Sequence, residues 1–123
     1  MDILDYEKQL RYEFFQDVPA RVLLNGKYMT FFLIEIPAGK RVPPHNHPHE
    51  QMGICLSGQA EFVSGKKTEI VHKGMVYRIE PNEEHEVRII GSQNGLFLDV
   101  FSPPRTEYVS KQKSFEVVEK PQS

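Results

Sequence analysis

Glycine and proline punctuate this chain at such short intervals that little room is left for long helices. The 8 Gly and 9 Pro are spread along 123 residues, and they bound apolar or alternating runs of roughly five to nine residues, the pattern of short strands joined by turns. The expected class is all-β, a sandwich or a barrel. Residues 21–36 (RVLLNGKYMTFFLIEI) set Asn25-Gly26 between two β-prone runs, which predicts a hairpin with a two-residue type I′ turn. Further strands are expected over 51–56, 59–63, 68–72, 75–79, 85–90 and 96–101, making about eight with the hairpin. The exception is 6–15, where Tyr6, Leu10 and Phe14 recur at helical spacing and fit an amphipathic helix or an irregular arm. The organisation read from these signals is an N-terminal arm or short helix over 1–20, a barrel over 21–106, and a tail or late strand over 107–123. In that last segment Phe115, Val117 and Val118 supply the β-prone residues.

Composition narrows the function. A chain of this length builds one hydrophobic core. With a net charge of -2 and its basic residues scattered among acids, it carries no footprint for nucleic acid. It has no apolar run near the ~20 residues of a membrane helix, and MDILDYEKQL has no apolar region of the secretory kind. Cys55 is the single cysteine, which excludes an intrachain disulfide and a Cys-rich zinc site and suits a reducing compartment. A cytoplasmic protein is expected.

Three of the 5 histidines, His45, His47 and His49, fall in one five-residue window. In an extended chain alternate side chains share a face, so His45, His47 and Gln51 point the same way and Glu50 points away. His85, at the start of a later strand, is available as a third imidazole, and such a mixed imidazole and oxygen set suits a divalent first-row metal. His72 has no partner motif and reads as a solvated histidine, whereas Pro48 is expected to swing His49 out of line. Gly53 and Cys55 continue the parity of Gln51, so small residues are expected to leave room for a ligand. The opposite face, Met52, Ile54 and Leu56, is apolar and calls for a cover, which predicts a homodimer.

The string Gly39-x5-His45-x-His47-x3-Gln51-x6-Gly58 resembles the first cupin motif, with Gln in place of the usual Glu. Gly74-x6-Pro81-x3-His85 is similar to the second, with Glu83 where that motif has Gly and without its closing Asn. The resemblance implies a double-stranded β-helix, or jelly-roll, barrel holding one metal, often as a homodimer. The strings HNHPHEQ and DVFSPPR also resemble those of the small KdgF-like cupins that linearise unsaturated uronates, and similar strings occur in a bacilysin-pathway isomerase. This likeness implies His45, His47, Gln51 and His85 as metal ligands and Asp99, Phe101 and Arg105 as functional residues beyond the metal. Parity agrees in part, since Asp99 and Phe101 share a face opposite Leu98 and Val100.

Three imidazoles and an amide are neutral donors, so a bound manganese, iron, cobalt, nickel, copper or zinc ion would keep its full charge for Lewis-acid work on a substrate oxygen. Asp99 would move the proton, Arg105 would hold a carboxylate by a two-point fork and Phe101 would form an apolar wall. The expected activity is isomerisation or ring opening of a small carboxylated, sugar-derived or keto substrate. A metal-dependent dioxygenase and a non-catalytic small-molecule or metal-binding module are the alternatives; the missing carboxylate ligand weighs against the first, and the lack of an effector domain against the second.

Overall fold

The structure is a computed structural model and describes residues 1–109. After one 3-10 turn at Tyr6–Lys8 come ten strands: β1 (Tyr12–Phe15), β2 (Val18–Asn25), β3 (Thr30–Ile36), β4 (Arg41–His45), β5 (Glu50–Ser57), β6 (Gln59–Ser64), β7 (Lys67–His72), β8 (Val76–Ile79), β9 (His85–Ile89) and β10 (Gly95–Ser102). They form a six-stranded sheet in the order β1-β2-β3-β10-β5-β8 and a four-stranded sheet in the order β4-β9-β6-β7. Every pairing between them is antiparallel. The fold is the jelly-roll barrel of the sequence reading. No helix among the described residues is long and apolar enough to cross a membrane.

Strict alternation builds the interior. Thr30, Phe32, Ile34 and Ile36 of β3 face inward, as do Gly95, Phe97, Asp99 and Phe101 of β10. Each inward aromatic contributes about 1.5–3 kcal/mol by leaving water. Registers stack these residues into layers: Phe101 lies between Thr30 and Gln51, Asp99 between Phe32 and Gly53, and Phe97 between Ile34 and Cys55. Chemistry thus enters the barrel in a fixed order along its axis.

Two local expectations give way. Asn25 pairs with Thr30, so residues 26–29 make a four-residue loop in which the Gly26 N–H donates to the Met29 carbonyl at 2.8 Å. A two-residue turn would have set Val22 against Met29 and Ala20 against Phe31. The observed register, with a bulge between Val22 and Leu24, instead sets buried Val22 and Ala20 against buried Phe32 and Ile34. Burial of one face overrides the turn signal. Likewise 6–15 is no helix. Tyr12 and Phe14 obey the strand period of two; Tyr12 is buried, and the Phe14 ring meets those of Phe32 and Tyr108 edge-on at 5.2 and 5.0 Å. The sheet therefore extends into residues that the sequence reading gave to the arm. After Arg105 the chain forms a helical turn over 106–109; the late strand expected around 115–118 lies outside the described residues.

Candidate metal centre

The histidines converge because an edge strand breaks its ladder on purpose. β4 lies at the edge of its sheet, where Pro43 and Pro44, which have no N–H to give, are tolerated. Its register slips between Val42 and His45, and the slip sets His45 directly opposite His85 at the start of β9. The chain then turns inward, pinned by the Asn82 N–H donating to the His47 carbonyl at 2.7 Å. Ring centroids stand 4.3 Å apart for His45 and His85, 5.1 Å for His47 and His85, and 5.7 Å for His45 and His47. One ligating nitrogen from each of the three lies within 4.8 Å of the others.

Backbone carbonyls set the tautomers. Nδ1 of His45 bonds the Pro43 carbonyl at 2.9 Å, Nδ1 of His47 that of His49 at 3.0 Å, and Nδ1 of His85 that of Glu83 at 2.8 Å. A carbonyl oxygen only accepts, so each Nδ1 carries the proton and each Nε2 keeps its lone pair. Tethering the outer ring nitrogen in this way is the usual support of a metal-ligating histidine. Burial holds all three imidazoles below their ordinary range, His47 at about 4, with the Arg105 guanidinium adding to the effect. They are neutral, as ligands must be.

Gln51 supplies the sharpest test of fit. Its Oε1 lies 3.1 Å from Nε2 of His47, and with the proton on Nδ1 both atoms are acceptors. Two facing lone pairs are the arrangement that a cation between them would satisfy. Donors about 2.1 Å from one zinc ion at the tetrahedral angle stand roughly 3.4 Å apart, close to this separation. The residues present therefore fit a metal, with His45, His47 and His85 able to hold it and Gln51 beside them.

One layer deeper, Asp99 is buried. It accepts the Tyr77 hydroxyl at 2.5 Å and is also hydrogen-bonded by the Gln51 side chain. Burial pushes its carboxyl up to about 6, against the lowering effect of these two bonds. Arg105 does not pair with it. The Arg105 Nε donates to Glu107 at 2.6 Å, and its guanidinium lies over the rings of Tyr108 and Phe101 at 3.8 and 4.8 Å. Its Nη1 is buried with no partner among the described residues. Phe101 meets His47 edge-on at 5.5 Å. His45, His47, Gln51, His85, Asp99 and Phe101 are thus brought together, with Arg105 alongside.

Three expectations are corrected or completed. His49 is not swung into solvent: it is buried, with its ring 5.6 Å from that of His47. Gly53 does not leave room for a ligand, because a Cβ there would strike Asp99 Oδ1 and the Tyr77 ring. The open space beside the centre is only about 30 Å³, enough for roughly two water-sized groups. Tyr77 was missed altogether; it sits opposite Gly53 through the β5–β8 pairing, a crossover that sequence order does not reveal. His72 is exposed and remote from the cluster, as expected.

The cupin domain family matches residues 32–101, more than half of the chain. The chain belongs to the cupin family. This cupin is 31% identical over 104 residues to the H2HPP isomerase of Bacillus subtilis, covering 76% of the chain and 44% of that protein. It is 32% identical over 90 residues to an L-ectoine synthase of Vibrio cholerae, covering 71% of the chain and 64% of the synthase. In both cases it spans less than two thirds of the relative. Among solved structures it superposes on KdgF from a Halomonas species with a TM-score of 0.79 at 16% identity, covering 86% of this cupin and 98% of that chain. An RmlC-like cupin from Shewanella frigidimarina gives a TM-score of 0.80 at 17% identity, covering 88% and 96%. These two likenesses are of fold.

Proposed function

We propose that this cupin is a metal-dependent small-molecule enzyme that isomerises or ring-opens a carboxylated, sugar-derived or keto substrate. The observation that carries the reading is the set of three carbonyl-tethered imidazoles facing the Gln51 oxygen, with a buried carboxylate one layer below. Two of the similar proteins are named for small-molecule conversions, an isomerase and a synthase, which supports the class.

His45, His47, Gln51 and His85 would hold a divalent transition metal, which would supply Lewis-acid polarisation of a substrate oxygen, undiminished by any anionic ligand. Arg105 holds the substrate carboxylate, since its Nη1 has no partner among the described residues and its guanidinium packs against the rings of Tyr108 and Phe101. Asp99, with its carboxyl raised toward the working pH, moves the proton. Phe101 keeps water off the reacting face. With so little open space inside, side chains lining the centre move to admit a substrate. The test is a screen of unsaturated uronates and keto acids with metal-loaded protein. Asp99→Asn and Arg105→Ala are each expected to abolish turnover while metal content stays unchanged, and full activity in both variants would overturn the reading.

We further propose that it works in the cytoplasm as a homodimer. Met52 and Leu56 are 51% and 37% exposed, and the register places Met52 beside Val100 and Ile54 beside Leu98, next to Phe31 and Leu33. An apolar face three strands wide calls for a cover. Light scattering at micromolar concentration checks this: a dimer that Met52→Glu splits is expected, and a monomeric parent protein refutes it.

A further inference from the structure

We propose that Tyr77 is a positioning residue for the metal centre, acting through Asp99 to hold the Gln51 amide with its oxygen toward the histidines. The inference rests on the reading that Gln51 ligates a metal. An amide has an acceptor end and a donor end, and only the oxygen can ligate a cation. Nothing in the shape of Gln51 chooses between the two. The choice is made by what the other end meets, and that is Asp99, to which the Gln51 side chain is hydrogen-bonded. As long as Asp99 accepts, the NH2 end is drawn down into the barrel and Oε1 is turned up to its place 3.1 Å from His47 Nε2.

What keeps Asp99 an acceptor in a fixed rotation is the Tyr77 hydroxyl. It donates to Asp99 Oδ1 at 2.5 Å. Gly53 makes that bond possible. It lies between Tyr77 on β8 and Asp99 on β10 in the cross-strand register, and any Cβ there would collide with both side chains. The missing side chain therefore serves as a passage for a hydrogen bond across β5. The Tyr77 ring is held independently, with its centroid 4.7 Å from that of Phe62 and 6.5 Å from that of Phe97. Removing the hydroxyl leaves this packing in place, so the polar and apolar roles of the residue can be separated.

A double-mutant cycle tests the inference. Cobalt(II) affinity is measured by chelator competition, together with the visible absorption of the bound ion, for the parent protein, Tyr77→Phe, Gln51→Ala and the double variant. Tyr77→Phe is expected to weaken cobalt binding by about tenfold, the scale of an outer residue that orients a ligand, and to alter the absorption bands. In the Gln51→Ala background the same change is expected to do neither. Equal losses in both backgrounds, or no loss in either, overturn the inference while leaving the metal reading intact. No cobalt binding by the parent protein overturns both. If Tyr77→Phe does not fold, Gly53→Ala, which displaces the hydroxyl from Asp99, takes its place in the cycle with the same outcomes.

Discussion

The two ends of the barrel interior are built from the same strands and differ in almost every physical respect. At one end β5 and β10 present Gln51 and Phe101, and across from them stand His45, His47 and His85. At the other end the same two strands present Cys55 and Phe97, packed with Ile36, Ala60 and Val71. Four residues along one strand separate a cluster of neutral donors from apolar packing around the Cys55 thiol. Asp99 and Tyr77 lie between them and belong to both, with a carboxylate turned up to the donors and an aromatic ring turned down to the core. The apolar core runs through both ends, with Phe32, Phe101 and Tyr108 packed beside the donors, but the chemistry stands at one end alone, and the middle layer links the two.

That division can be broken by mutation. The largest effect is expected at the donor end: His47→Ala or His85→Ala should weaken metal binding by more than the 10–100-fold typical of an outer residue, as read by equilibrium dialysis. The apolar end should answer differently. Phe97→Ala is expected to cost about 3–5 kcal/mol of stability through the cavity it leaves, measured by denaturant unfolding, while the folded fraction still binds its metal. In the middle layer Gly53→Ala is expected to do both in smaller measure. It should cost about 1–3 kcal/mol by overpacking and also weaken metal binding; a change in stability alone would uncouple the two ends. The smallest effect concerns Cys55, whose thiol is buried and pushed up by that burial. Alkylation at pH 8 should be slow in the native protein and rise to the rate of a free thiol on unfolding.

How much of this was legible in the sequence follows from the range of each interaction. The all-β class and most strands were readable because turns and period-two alternation are local. Two local signals misled. Asn25-Gly26 lost to the burial of Val22 and Phe32 across the hairpin, and the helical spacing of 6–15 lost to an edge strand that buries Tyr12. The donors were legible because His45, His47 and Gln51 share parity within one short stretch and His85 falls in a recognisable motif. Tyr77 carried no such signal. Its role depends on β8 pairing with β5 and on the empty position at Gly53, both of which exist only after the sheet is assembled. The partners of Arg105 are local, Glu107, Tyr108 and Phe101 all lying within four residues of it, but no motif or period marked them in the sequence.

Metal stoichiometry tests the central claim most directly. The purified protein, stripped with chelator and dialysed against manganese, cobalt or zinc, is analysed for bound metal beside His47→Ala and His72→Ala, the latter replacing an exposed histidine away from the cluster. One ion per chain in the parent protein and in His72→Ala, with none in His47→Ala, is the expected result. No stoichiometric binding by the parent protein, or equal binding by all three, would contradict a metal centre built from these histidines.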